Sequence, residues 1–359
     1  MRLRLRAPVR SRLPALALSL PFILGSTPAT RPSPAPTAPA LGIAVNLPPN
    51  ASPAERQAAI DAVRRTGASF FAMTLSWSAA EPAPRQYRLE EITRTARVLR
   101  QSGAVLHLDL PLVTESDRDV PADLADVAFD DPKLSLRLGG LLDRLLPALL
   151  DFDTLSLGDG ADTYFANRPD ELRAYRRLFD GAVQFLSRRA PHLLVGVATA
   201  SPNESPAPTV AAALHARSPL LLYDYAPFER GRRFVQRDPD ALERDWSRLL
   251  STAAGRPIGF PVVSYSSSEE NGSSVERQAE FVRRMRDFLR RSDGRLLRFA
   301  RYVALRDPSE PAAGGDEADA TADEARRRAF LSHRGLQEAN GKPKAAWREW
   351  VRGAAPVKK

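Results

Sequence analysis

From Leu41 onward the chain alternates between short apolar runs and longer segments in which apolar residues recur with a helical period. Leu41 to Leu47 reads as the first strand. Ser52, Pro53 and Glu55 then supply an N-cap, a first-turn proline and a capping-box partner, so a helix begins there and runs to about Arg65, ended by Gly67. Ser69 to Ser76 is the second strand, Glu90 to Gln101 a helix stopped by Gly103, and Val105 to Leu110 the third strand. The apolar segment Leu134 to Leu150 is a helix and Thr154 to Leu157 the fourth strand. Pro169 to Arg189 carries Leu172, Tyr175, Phe179, Ala182, Val183 and Leu186 on one face, a helix by period.

Leu193 to Val197 and Leu220 to Tyr225 are strands five and six. A helix capped by Asp238 and Pro239 runs to about Leu250 and precedes the seventh strand, Pro257 to Tyr265. Ser273 with Glu276 forms a second capping box opening a helix to Arg290, and Leu296 to Leu305 is the eighth strand. An acidic, Gly- and Ala-rich insertion at 308 to 323 reads as a mobile loop, followed by a helix to Ser332 and a last turn or two from Lys344 to Val351. Eight strands in strict alternation with helices predict an α/β protein with a parallel sheet closed into a single (β/α)8 TIM barrel. An open doubly wound sheet is the competitor, weakened because no phosphate-cradling Gly-rich loop follows the first strand.

The N-terminus changes the picture of where such a barrel works. Arg2, Arg4, Arg6, Arg10 and Arg12 precede an apolar run, Leu13 to Leu24, too short to span a bilayer comfortably, with Ser26, Thr27 and Ala29 beyond it. Residues 1–29 therefore read as a secretory signal peptide, with an uncleaved anchor as the alternative. Residues 30–40 read as a proline-rich linker, 41–352 as the barrel and 353–359 as a tail. The expected location is secreted or periplasmic, free of the membrane once the signal is cleaved. The net charge of +9 falls to +4 without the five leader arginines, so a polyanion such as nucleic acid is not an expected partner. There is no cysteine, hence no disulfide and no lipid-modified cysteine, and a monomer is expected. His107, His192, His215 and His333 lack ligand spacing, and neither metal nor cofactor is expected.

In a barrel of this kind, ligands and reacting groups gather at the C-terminal ends of the strands. The strand-four exit is Gly158, Asp159, Gly160, where two residues without a Cβ allow a sharp turn and close backbone approach, with Asp162 and Tyr164 just beyond. The other exits bring Asn46, Trp77, Glu81, His107, Asp109, Tyr223, Asp224, Tyr225 and Tyr265. Aromatic faces stack on sugar rings while carboxylates and amides hold hydroxyls, so the set suits a carbohydrate. The substrate-binding candidates are Trp77, His107, Asp109, Asp159, Asp162, Tyr164, Tyr223, Tyr225 and Tyr265. Taken singly, Trp77 or Tyr225 is also what core packing would place there.

Several segments resemble the clan of retaining glycoside hydrolases built on (β/α)8 barrels, including the cellulase-like and endo-β-galactanase-like families. Trp77 with Glu81 and Pro82 resembles that clan's strand-two exit, SLGDGADTYF its strand-four motif, and YDYAP at 223–227 its strand-six tyrosine motif. YSSSEENGSSVERQAEFV resembles the segment after its nucleophile, and GLQEANGKPKAAW its last helix region. The resemblance implies a carbohydrate partner and two catalytic glutamates, at the ends of strands four and seven. Those positions are Gly160 and Val262 here. A hydrogen and an isopropyl group can neither attack an anomeric carbon nor exchange a proton, which implies a catalytically inactive barrel that binds a carbohydrate, or a partner, in the old cleft. The alternative is an active glycosidase with displaced carboxylates, Asp159 or Asp162 working with Glu269 or Glu270. A third class, a structural envelope protein tethered by the proline-rich stalk, predicts a cleft filled by side chains.

Overall fold

The computed structural model describes residues 37–47, 51–309 and 321–352. The expected signal peptide, most of the linker, the tail and the middle of the acidic insertion lie outside the described residues. The eight strands are β1 (Ala40–Ile43), β2 (Phe70–Thr74), β3 (Val105–Asp109), β4 (Thr154–Ser156), β5 (Leu194–Ala200), β6 (Leu220–Tyr225), β7 (Ile258–Val263) and β8 (Leu297–Tyr302). They form one parallel sheet in the order β1-β8-β7-β6-β5-β4-β3-β2. The ring is drawn together where the Ser69 amide, just before β2, donates to the carbonyl of Leu41 on β1 at 2.9 Å. The sheet is the barrel that strand and helix alternation predicts.

Outside the strands lie α1 (Pro53–Arg64), α2 (Glu90–Gln101), α3 (Pro132–Leu149), α4 (Pro169–Arg189), α5 (Pro208–His215), α6 (Ala241–Thr252), α7 (Val275–Arg291) and α8 (Ala345–Arg352). Four of them open on proline, which lacks the N–H that a first turn leaves unused. The Ser52 and Glu55 capping box forms as the sequence requires. The second box does not: Ser274, not Ser273, caps α7 by accepting from the Arg277 amide, because Ser273 is drawn into the interior. Asp238 and Pro239 form a turn before α6 rather than its cap; the Ala241 amide donates to the Asp238 carbonyl at 3.0 Å. Unanticipated were the short helices Trp77–Ala80 and Ala161–Ala166, the helix α5, the single helical turns Ala122–Leu124 and Glu269–Asn271, and an antiparallel hairpin of Phe228–Glu229 with Arg232–Gln236.

The barrel lumen is packed. Ala40, Phe70, Ala198, Leu220, Leu222 and Phe299 form a core inside the ring, separate from the larger apolar layers between strands and helices. Phe70 and Phe299 stack at 4.1 Å across it. That fit depends on Gly259, whose missing Cβ would lie 2.5 Å from the Phe299 ring.

Candidate functional site

Successive residues of a strand face opposite sides of a sheet, so the lumen residues set the parity of each strand. On β3, Val105 packs on the lumen core and His107 lies over its Phe299 ring at 5.4 Å, so Asp109 is the next inward residue. On β6 the inward series Leu220, Leu222 ends at Asp224; on β8, Phe299 is followed by Arg301. Three strands thus deliver Asp109, Asp224 and Arg301 to one layer at the mouth, directly above the apolar plug. The loop after β4 adds Asp159.

The charges in this layer are strongly interdependent. The Asp109 carboxyl is pushed well above the usual carboxylate range by burial and then by the charge of Asp159, with Arg301 pulling the other way. Burial, then Asp159 and Glu115, do the same to Asp224. Burial also lowers the affinity of Arg301 for its proton, while Asp109, Asp224 and Asp159 hold the guanidinium charged. Its Nε donates to the Pro261 carbonyl at 2.8 Å. His107, one layer down and 1 % exposed, is depressed to about 3 by burial and by Arg301, so its ring is neutral. The His107 Nδ1 shares a 2.9 Å hydrogen bond with Thr154 Oγ1 on the neighbouring strand, which leaves Nε2 on the far side of the ring, buried and without a protein partner. One carboxyl oxygen each of Asp109 and Asp224 is likewise buried and unbonded.

Two loops cover this layer. After β3, a bridge between Val113 and Arg118 and a 2.8 Å bond from the Thr114 amide to the Asp117 carbonyl make a turn that carries the exposed Glu115 near its tip. The Asp159 amide donates to the Val113 carbonyl at 3.0 Å, tying that turn to the loop after β4. Gly160 has φ +62, a left-handed conformation that favours glycine, and a Cβ there would lie 2.4 Å from the Glu115 Cγ. Glu115 therefore occupies the volume that a side chain at position 160 would need.

The expected site residues part company here. Asp109 and Asp159 belong to the mouth; His107 lies one layer below them, in the lumen. Asp162 is fully buried and accepts from the Ala200 amide at 3.1 Å and from the Ser205 hydroxyl, a structural role. Trp77 is buried with its indole N–H on Glu81 at 2.8 Å; Glu81 is in turn held by Arg137 at 2.7 Å. The Tyr164 hydroxyl donates to Glu171 at 2.9 Å, that of Tyr225 to Asp245 at 2.8 Å, and that of Tyr265 to the Arg237 carbonyl at 2.7 Å. Tyr223 meets His215 edge-on at 4.8 Å. By parity Tyr223 and Tyr225 flank the inward Asp224 and so point to the helices, and the expected aromatic rim is packing, not platform. Glu269 and Glu270 line an open groove of about 560 Å³ between the hairpin and the loop after β7, in company with Arg232, Arg237, Arg277 and Arg326. None of the charges acting on Asp109 or Asp224 is theirs.

Arg301 and Glu115 escaped the sequence reading. For Arg301 a signal existed: in the strand LRFARY it is the charged residue two places after Phe299, on the same face. Glu115 had none, since a loop residue's target is set by the fold of the loop.

Comparison with solved structures places the architecture. A GH5_18 glycoside hydrolase from Streptomyces cattleya, in complex with GlcNAc, superposes with a TM-score of 0.63 at 16% identity, over 88% of this chain and 79% of that one. The fold is that of a glycoside hydrolase barrel. A GH5_18 protein from Bifidobacterium longum subsp. longum, in complex with Manβ1-4GlcNAc, gives 0.60 at 14% identity over 89% and 79% of the two chains. An exo-β-1,4-mannosidase from Opitutaceae bacterium strain TAV5 gives 0.60 at 14% over 88% and 59%. No protein-family model and no curated protein matches the chain. Among the described residues no group of three His, Cys, Asp or Glu is arranged to hold a metal ion, and no helix is long and apolar enough to cross a membrane.

Proposed function

We propose that the mouth of this barrel is a carbohydrate-binding site, reached by an exported protein whose leader is residues 1–29. The observation that carries the reading is the layer of Asp109, Asp224 and Arg301, with Asp159 above it. Four hydrogen-bonding side chains converge over an apolar plug at the face where (β/α)8 proteins bind their ligands. Sugar hydroxyls donate and accept; a protonated carboxyl does both whereas a carboxylate only accepts, and burial favours the protonated form of Asp109 and Asp224. The side chain that an entering sugar must displace is Glu115, at the tip of an exposed turn. The two-glutamate retaining route has no groups to run on at Gly160 and Val262.

Isothermal titration of the mature chain with GlcNAc, Manβ1-4GlcNAc and a panel of neutral β-linked disaccharides tests this. Saturable binding that weakens at least tenfold in Asp109→Ala is the expected result. Failure to bind any member of the panel, or binding untouched by that substitution, sinks the reading.

A further inference from the structure

We propose that the open groove of about 560 Å³ between the hairpin after β6 and the loop after β7 is a second binding site, and that it takes a small zwitterion, an α-amino acid held by both its carboxylate and its ammonium group. This site is separate from the mouth and does not depend on a sugar binding there. Its walls are fixed by one buried side chain. Asn271, fully buried, donates through Nδ2 to the Phe234 carbonyl on the hairpin and to the Arg326 carbonyl on the helix Ala322–Ser332, each at 2.8 Å. Three segments are thereby pinned around the groove.

Among the lining residues, every buried side-chain polar atom without a partner is a donor. Gln236 lines the groove yet is 2 % exposed; its Oε1 accepts from the Ser266 amide at 3.2 Å, which leaves Nε2 with no protein partner. The Nε atoms of Arg237 and Arg277 are unbonded as well. Arg237 is committed to Glu204 and Asp245, neither of which lines the groove. Arg277 instead pairs at 2.8 Å with an exposed Asp238, and exposed pairs are loosely held. It also bonds the Tyr265 hydroxyl, so Gln236 and Arg277 reach two adjacent residues of the loop after β7. Buried donors without acceptors are costly, and a carboxylate, which only accepts and meets a guanidinium through paired bonds, is the group that answers them.

The same loop then carries the opposite charge. Glu269 and Glu270 line the groove, and neither side chain enters an ion pair or hydrogen bond among the described residues. Four residues, about 14 Å at full stretch, separate Ser266 from Glu270, so donors and acids stand close together. A simple anion would face the two acids and a simple cation the arginines, whereas a molecule with both charges satisfies each wall. Val235 is the one apolar side chain in the lining and no aromatic ring is present, so a nucleobase or a large apolar group has nothing to stack on. A small or polar amino acid is the ligand that fits.

Isothermal titration of the mature chain with glycine, alanine, serine and asparagine tests this, each beside its deaminated and its decarboxylated counterpart. Saturable binding of at least one amino acid is expected, at least tenfold tighter than either counterpart. The double substitution Glu269→Gln with Glu270→Gln should weaken the amino acid at least tenfold while leaving the deaminated acid unchanged. Both positions lie in an exposed turn, and an unaltered thermal melt checks that the variant folds. No binding by any of the four, equal binding of a counterpart, or an amino acid bound as tightly by the double variant overturns the proposal. Sugar binding at the mouth should be the same in that variant, so loss of either site is read separately from the other.

Discussion

The exits of β4 and β7 and those of β3 and β6 are each three strands apart around the same ring, yet they carry opposite chemistry. At β4 and β7 the residues are Gly160 and Val262, whose side chains hold no exchangeable proton and accept no hydrogen bond. At β3 and β6 they are Asp109 and Asp224, with Arg301 on β8 between their charges. The contrast teaches that a barrel mouth offers several equivalent angular positions for a pair of acids. What sets the charge at one position is inward parity at the end of a strand plus a neighbour that tunes the proton. The loop after β3 shows the same economy: Glu115 lies where a residue at 160 would have reached.

That contrast can be broken most forcefully at its single cation. Arg301→Met removes the cation whose charge acts on Asp109 and Asp224, and a loss of about 3 to 5 kcal/mol in urea unfolding at neutral pH is expected for removing one partner of a buried charged cluster. A loss under about 1 kcal/mol would mean that the aspartates are neutral regardless of Arg301. Placing a carboxylate at the β4 exit is the next test. Gly160→Glu must adopt φ +62 and meet the Glu115 Cγ at 2.4 Å, so a destabilisation of about 1 to 2 kcal/mol is expected from the backbone alone. Adding Glu115→Ala should recover the steric part and leave the backbone part; full recovery would show that Gly160 is not strained.

A smaller effect separates the pair by pH. Asp109 and Asp224 hold their protons more tightly in the folded chain than at the ordinary value of 3.8, so the native state binds more protons than the unfolded one. Stability therefore falls as pH rises above about 3.8 toward the folded values. Thermal melting of Asp224→Asn across pH 4 to 8 should show a flatter decline than the wild type; a parallel curve would place the Asp224 carboxyl in the ordinary range. The smallest signal belongs to His107. Its ring resonances should not move between pH 5 and 8, since its pKa is held near 3. The sign there is opposite: the folded state binds its proton less tightly than the usual 6.5, so stability is lost as pH falls from 6.5 toward 3. Titration of that ring near pH 6.5 would show water reaching the lumen layer.

The amino-acid sequence by itself determined the ring. Its strand and helix alternation, the Ser52 and Glu55 box and the prolines that open helices are local signals, each written within a few residues, and β6 and the helices Glu90–Gln101 and Pro169–Arg189 match their expected ends. Asp109 and Asp159 were legible as strand-exit residues for the same reason, because strand ends are local, whereas His107 proved to lie one layer down in the lumen. What the tertiary structure decided was direction and company. Tyr223 and Tyr225 turned to the helices, since parity on a strand is fixed by which neighbours fill the lumen, not by the aromatic character of the residue, and Tyr265, beyond the end of β7, stacked on Phe281 of α7. Arg301 joined Asp109 and Asp224 from strands far apart in the chain, and Glu115 settled over Gly160, because charge coupling and steric exclusion act through space between segments whose meeting no local pattern encodes.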